Sequence, residues 1–311
     1  YRKCFFGQRR NKVTSSFIYD ELNKISGGVL KNEPMSRHTT FKIGGEADFL
    51  VQPSTVSEVC GCVKFLRKEK IPFAVIGNGS NLLVSDNGFR GVIIKLLKNF
   101  SQIREEDGLI CAQAGATLSS LAAFAAERGL EGLQFASGIP GTVGGAVLMN
   151  AGAYGGQMSD VVVRTKYIDK SSEIQTAEEH GFSYRSSVFQ KNGGIILETA
   201  MKLQHGNRDE IYEKMRSLAE ARREKQPLNF PSAGSAFKRP EGFFAAKLID
   251  DAGLRGFTVG GAKISEKHTG FVINRGGATQ KDVSELMQKV SDTVYEKFGV
   301  RLEREIKFLG D

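Results

Sequence analysis

Seven glycines fall between positions 138 and 156. They lie in the run Ala136-Ser137-Gly138-Ile139-Pro140-Gly141-Thr142-Val143-Gly144-Gly145-Ala146 and its continuation Met149-Asn150-Ala151-Gly152-Ala153-Tyr154-Gly155-Gly156. A solvent-exposed loop would be polar here, and a structural strand would be β-branched. Bare backbone in an apolar setting packs against something close: a helix–strand junction, or a flat ligand with polar edges such as an isoalloxazine and its pyrophosphate. Thr142 and Asn150 offer hydrogen bonds to the edges of such a ligand.

A second bare stretch, Val75-Ile76-Gly77-Asn78-Gly79-Ser80-Asn81-Leu82, directly follows a strand pattern. Leu82 occupies the place of the third glycine in G-x-G-x-x-G, and another strand pattern follows where a helix is needed. A Rossmann turn is therefore excluded by context. What remains is either a plain hairpin turn or a nest of backbone amides suited to anionic oxygens. Gly256 to Lys263 imitates a phosphate loop, but Ala262 separates the glycine from the lysine and Ile264 replaces Ser/Thr, which excludes a Walker-type NTPase.

The chain's 311 residues suit two or three packed units. Its net charge is +8, but Arg2, Lys3, Arg9, Arg10 and Lys12 account for five of those charges and leave +3 for the rest. That excess is too small to argue for a nucleic-acid partner. No run of 18 apolar residues predicts a membrane span. Residues 1–12 lack the apolar core of a secretory signal and read as a mobile arm. Cys60 and Cys62 form C-x-C without a second Cys/His pair at zinc spacing. Together with Cys4 and Cys111 they read as reduced thiols in a cytoplasmic protein with no metal.

The pattern predicts helices over Ser16–Ser26, Thr55–Lys70, Leu118–Arg128, Arg208–Lys225, Phe243–Ala252 and Thr279–Phe298. Phe41–Ile43 and Ala47–Gln52, flanking Gly44-Gly45, predict a hairpin. Strands are expected at Phe73–Ile76, Leu82–Val84, Val92–Leu96, Leu109–Ala114, Val161–Ile168, Glu173–Thr176, Ile195–Leu203, around Val259–Ile264, at Phe271–Asn274 and at Val300–Phe308. A composition shift near residue 206 sets a domain boundary.

In order along the chain, Gly77-Asn78-Gly79-Ser80-Asn81-Leu82, Ser137 to Ala146 and Asn150 to Gly155 resemble the flavin domain of the MurB family of reductases. That family belongs to the wider group of vanillyl-alcohol-oxidase-like FAD folds. The resemblance continues through Tyr184-Arg185-Ser186-Ser187-Val188-Phe189, Gly234 to Pro240, Ala252 to Gly256, Gly260 to Ser265 and His268 to Asn274, and ends at Leu302-Glu303-Arg304-Glu305-Ile306. It covers about residues 30–310. The short link Gln190–Gly194 lacks the tyrosine-bearing insertion of the longer class and resembles the shorter, second class.

The resemblance implies an α+β protein. Beyond an arm at 1–12 it implies FAD-binding subdomains at 13–96 and 97–206 and a C-terminal α+β substrate-binding domain at 207–311. It implies non-covalent FAD held by Ile76, Gly77, Asn78, Gly79, Ser80, Asn81 and Leu82, and by Ala136, Gly138, Ile139, Pro140, Gly141, Thr142, Gly144, Gly145, Asn150, Ala151 and Gly152. NADPH is the implied reductant, and UDP-N-acetylglucosamine enolpyruvate the implied substrate, in cytoplasmic peptidoglycan precursor synthesis by a monomer. The resemblance further implies that hydride passes from flavin N5 to C3, that Ser235 protonates C2, and that Arg185 and Glu305 stabilise the enolate. Lys238 or Arg239 is expected to make the Ser235 pocket electropositive. The strand pattern puts Glu303 and Glu305 on one face and cannot choose between them; the family motif favours Glu305. Tyr154, Lys225 and Arg239 are the implied substrate contacts, although the longer class has Asn where Arg239 stands.

Two other functions compete. One is a lactone or sugar oxidase of the same fold with tethered flavin; His38 precedes the glycine loop but stands in the wrong motif for such a tether. The other is a UDP-sugar-binding module without catalysis.

Overall fold

The structure is a computed structural model that describes residues 14–310. The expected arm at 1–12, with its Cys4, lies outside those residues. The first sheet runs in the order Leu30–Pro34, Glu46–Val51, Phe89–Lys95, Phe73–Ile76. Its first pair is antiparallel and the other two are parallel. The helix Val56–Lys68 begins where Thr55 Oγ1 accepts from Glu58 N–H, and it buries Val59, Cys62, Val63 and Leu66. That i, i+3, i+4, i+7 stripe packs on the alternating Phe49, Val51, Val92 and Ile94 of the sheet.

The second sheet is antiparallel, in the order Ile174–Ala177, Val162–Ile168, Ile195–Met201, Leu109–Gln113, Ile103–Glu106. The helices Leu118–Glu127 and Val143–Met149 bury their apolar faces in the same core, which also joins the first sheet. A third sheet, Ser232–Ser235, Phe271–Asn274, Ala262–Ile264, Thr258–Val259, carries the helices Ala245–Asp251 and Gln280–Phe298. The long helix buries Val283, Leu286, Met287, Val290 and Val294 in a separate core. Cys60, Cys62 and Cys111 are free thiols, and burial pushes Cys62 up to about 12, which keeps it protonated and unreactive. Among the described residues no helix is long and apolar enough to cross a membrane.

Two expectations are corrected. The antiparallel partner of Glu46–Val51 is Leu30–Pro34, not Phe41–Ile43. Gly44, at φ +134°, turns the chain away, and Phe41 and Ile43 are buried with the C-terminal core instead. The last strand is only Lys307–Leu309 rather than Val300–Phe308, and it pairs parallel with Leu82–Val84 immediately after the first glycine loop. Residues 302–306 are held by single hydrogen bonds to several neighbours in place of a continuous ladder.

Candidate active site

The two glycine segments face one another. Asn78 Nδ2 donates to the Pro140 carbonyl at 2.7 Å. A Cβ on Gly77 would overlap the Thr142 side chain, and one on Gly79, at φ +63°, would overlap the His38 carbonyl. Glycine is therefore required by close approach at Gly77 and by both approach and dihedral at Gly79. Together with residues 226–235 and the Glu305–Lys307 segment they enclose a cavity of about 740 Å³.

The C-terminal lobe enters this cavity through Ser235, at the end of a strand bulged between Ser232 and Ser235, where Gly234 adopts φ +78°. The next residue ties Ser235 to the chain terminus: the Ala236 carbonyl accepts from Glu305 N–H at 2.9 Å. Glu305 is gripped from the glycine loop as well. Asn81 Nδ2 donates to the Glu305 carbonyl at 3.2 Å, and Lys307 N–H donates to the Asn81 carbonyl at 2.9 Å. The loop 77–81 and the segment carrying Glu305 are thus one hydrogen-bonded unit.

Arg185 arrives from the second sheet's side on a turn closed by reciprocal Ser183–Ser186 hydrogen bonds. It is a non-glycine residue at φ +55°, a conformation that costs about 1 kcal/mol and is sustained here by its contacts. Gln190 Nε2 donates to its carbonyl at 3.0 Å, and its own Nε donates to Glu305 Oε1 at 2.5 Å. Both side chains are largely buried, Arg185 at 22% and Glu305 at 13% exposure. Burial pushes the Glu305 carboxyl above the usual glutamate range, opposed first by Arg185 and then by Lys238 and Lys307. Glu303, by contrast, is an exposed partner of Lys238. The geometry separates the two glutamates that alternation could not.

Of the residues singled out from sequence, Ile76 to Leu82, Gly138 to Thr142, Gly145, Ala151, Gly152, Tyr154, Arg185, Ser235 and Glu305 all line the cavity. Five do not line it. Ala136 is fully buried in the core. Gly144 presses on Ala114, to whose carbonyl its N–H donates at 2.9 Å. Asn150 spends its amide on Gln157, the Ser183 carbonyl and Ser159 N–H, fixing a left-handed helix cap. Lys225 is exposed at the end of its helix. Arg239 lies with its guanidinium 3.9 Å over the Phe244 ring. Nor do Lys238 and Arg239 line the cavity that Ser235 enters; the cations on its wall are Lys42, Arg185, Arg222 and Lys307. His38 is no flavin anchor: Nε2 meets Glu33 and Nδ1 meets Lys95, each at 2.9 Å, away from the cavity wall.

Arg222 was missed. It extends the stripe Ile211, Met215, Leu218 at i, i+4, i+7, i+11, and helical phase alone would have pointed to it. It lines the cavity with its guanidinium against Gly138, donates from Nε to Gln226 at 2.9 Å, and burial lowers its pKa. A guanidinium nonetheless stays charged.

Residues 47–178 match the FAD binding domain family, and residues 226–309 match the UDP-N-acetylenolpyruvoylglucosamine reductase C-terminal domain. The chain is 50% identical over 301 residues to a UDP-N-acetylenolpyruvoylglucosamine reductase from Caldanaerobacter subterraneus subsp. tengcongensis, covering 96% of this chain and 99% of the relative. It is 49% identical over 293 residues to a protein of the same name from Clostridioides difficile, covering 93% and 96%. The crystal structure of UDP-N-acetylenolpyruvylglucosamine reductase (MurB) from Thermus caldophilus superposes with a TM-score of 0.76 at 36% identity, covering 91% of this chain and 98% of that one. Both glycine walls and the lobe bearing Ser235 and Glu305 fall inside these matches, so the chain belongs to the UDP-N-acetylenolpyruvoylglucosamine reductase family.

Proposed function

We propose that this protein uses FAD and NADPH to reduce the enolpyruvyl ether of UDP-N-acetylglucosamine enolpyruvate to UDP-N-acetylmuramate. It would do so in the cytoplasm, as a monomer, as a step of peptidoglycan precursor synthesis. The observation that carries the reading is the convergence of Ser235, Arg185 and Glu305, from three separate parts of the chain, in the cavity walled by both glycine segments. Bare peptide walls, the amide nest at 77–81 and the charge of Arg222 fit a non-covalent flavin dinucleotide. Held between the segments 76–82 and 138–145, a bound flavin would supply the hydride, drawn from NADPH, that reduces C3 of the enolpyruvyl group.

The chain's own residues do the rest. Arg185 holds the substrate carboxylate: its Nε is taken by Glu305, which leaves the two terminal nitrogens for a paired contact. Charge on that carboxylate grows as C3 is reduced, so a fixed guanidinium stabilises the enolate more than the ground state. Ser235 holds the proton that C2 receives. A serine hydroxyl is a weak acid, and the positive charges of Arg185 and Lys307 favour its loss of a proton. Glu305 orients Arg185, and its raised pKa lets it share or relay a proton. Tyr154, 48% exposed on the cavity wall, borders the substrate.

The test is optical. Purified protein is expected to be yellow, to bleach with NADPH in the absence of air, and to recolour when the enolpyruvyl sugar nucleotide is added. Bleaching without recolouring would favour another flavin enzyme. A colourless protein that flavin does not reconstitute would overturn the reading.

A further inference from the structure

The turn that carries Arg185 is tied to the end of the helix Val143–Met149, whose Gly145, Ala146, Leu148 and Met149 line the cavity. Three side chains make the tie. Asn150 Nδ2 donates to the Ser183 carbonyl at 3.2 Å, and Ser187 Oγ donates to the Leu148 carbonyl at 2.8 Å. The third is Gln190, on the short helix Val188–Asn192 that follows the turn. Its Nε2 donates to the same Leu148 carbonyl at 2.8 Å and to the Arg185 carbonyl at 3.0 Å, and lies 3.3 Å from Met149 Sδ. All three partners are acceptors, which fixes the orientation of the amide. Its two hydrogens are thereby committed, one to the wall helix and one to Arg185.

Arg185 needs such a hold. At φ +55° a residue with a Cβ is strained, and the reciprocal Ser183–Ser186 hydrogen bonds close the turn around Arg185 without engaging its own carbonyl. Among the described residues it is Gln190 that holds that carbonyl, while Glu305 holds the guanidinium Nε. Arg185 is gripped at its backbone and at its head, and the mechanism above gives a role to the second grip alone. We propose that Gln190 is a positioning residue for the enolate-stabilising arginine. Through one carboxamide it ties the backbone of Arg185 to the wall helix, and so sets where the free terminal nitrogens stand relative to the substrate carboxylate. Gln190 is not on the cavity wall, so it acts through Arg185. The proposal rests on the functional reading above, in which Arg185 meets that carboxylate.

Two variants of the flavin-loaded protein test this. Gln190→Met keeps the length and volume of the side chain and removes both donors, whereas Gln190→Lys keeps the reach and restores donors. The side chain is half-buried, so both variants are expected to fold and to hold flavin at the wild-type ratio. Stopped flow follows the two half-reactions separately by flavin absorbance. In Gln190→Met, reduction by NADPH is expected at the wild-type rate, and reoxidation by saturating enolpyruvyl sugar nucleotide about tenfold slower. Gln190→Lys is expected to recover most of that loss. A merely structural role would instead release flavin or slow both half-reactions together. Flavin loss from Gln190→Met, equal slowing of both half-reactions, wild-type reoxidation, or a lysine variant as slow as the methionine one overturns the proposal. Failure of the functional reading looks different: the wild-type protein itself would bleach with NADPH and not be reoxidised by the sugar nucleotide.

Discussion

At the residue scale the site turns on the Arg185–Glu305 pair. Both groups are mostly out of water, and each neutralises the other's desolvation. Removing Arg185 leaves a buried carboxylate without its main counter-charge, so the pKa of Glu305 climbs further above its unfolded value. A raised carboxyl pKa means the folded state binds the extra proton: stability is retained below the unfolded pKa and falls as pH rises through the folded one. Arg185→Met is therefore expected to be less stable than wild type by about 2 kcal/mol at pH 8, and by clearly less at pH 5. Thermal melts of both proteins at the two pH values check this; an equal deficit at each would show that the pair is not what holds the charge.

At the scale of elements, the glycine walls work by approach rather than by side-chain chemistry. Gly77 lies against Thr142 so closely that any Cβ must displace the facing wall. Gly77→Val is expected to fold, since the strand before it and the core behind it are unchanged, yet to lose at least tenfold in flavin affinity. The flavin-to-protein ratio after dialysis reads this directly, and wild-type retention would mean the loop is not a cofactor wall. These walls were legible in the sequence because glycine in apolar context has few explanations. So were the helices with a polar cap and an i, i+3, i+4, i+7 stripe, such as Thr55 with Val59, Cys62, Val63 and Leu66. What failed was whatever depends on distant partners. Phe41 and Ile43 look like strand residues, but their burial site is supplied by a lobe nearly 200 residues later. Asn150 has its amide engaged by Ser159 and Ser183, partners 9 and 33 residues away that its sequence context does not announce. Arg222 is legible in helical phase, one turn beyond Leu218 on the stripe that begins at Ile211.

At the scale of the molecule, the C-terminal lobe is not hung on a linker. Lys307–Leu309 completes a parallel pair with Leu82–Val84, Asp86 accepts from Gln280 and Lys281 N–H at the start of the last long helix, and Thr40 Oγ1 donates to the Ser232 carbonyl at 2.7 Å. Asn81 completes the connection by holding both Glu305 and Lys307. The loop 77–81 and the lobe carrying Ser235 are therefore fixed relative to each other, as the proposed reaction, needing a reducing centre and an acid on one substrate, requires.

That division of labour is tested most directly by Ser235→Ala in stopped flow, with the two half-reactions followed separately by flavin absorbance. Reduction by NADPH is expected to keep its wild-type rate, since no proton from the C-terminal lobe enters it. Reoxidation by the enolpyruvyl sugar nucleotide is expected to slow by at least about a hundredfold, the scale of a lost general acid. Equal slowing of both half-reactions, or wild-type reoxidation, would contradict the placement of Ser235 as the proton donor at this cleft.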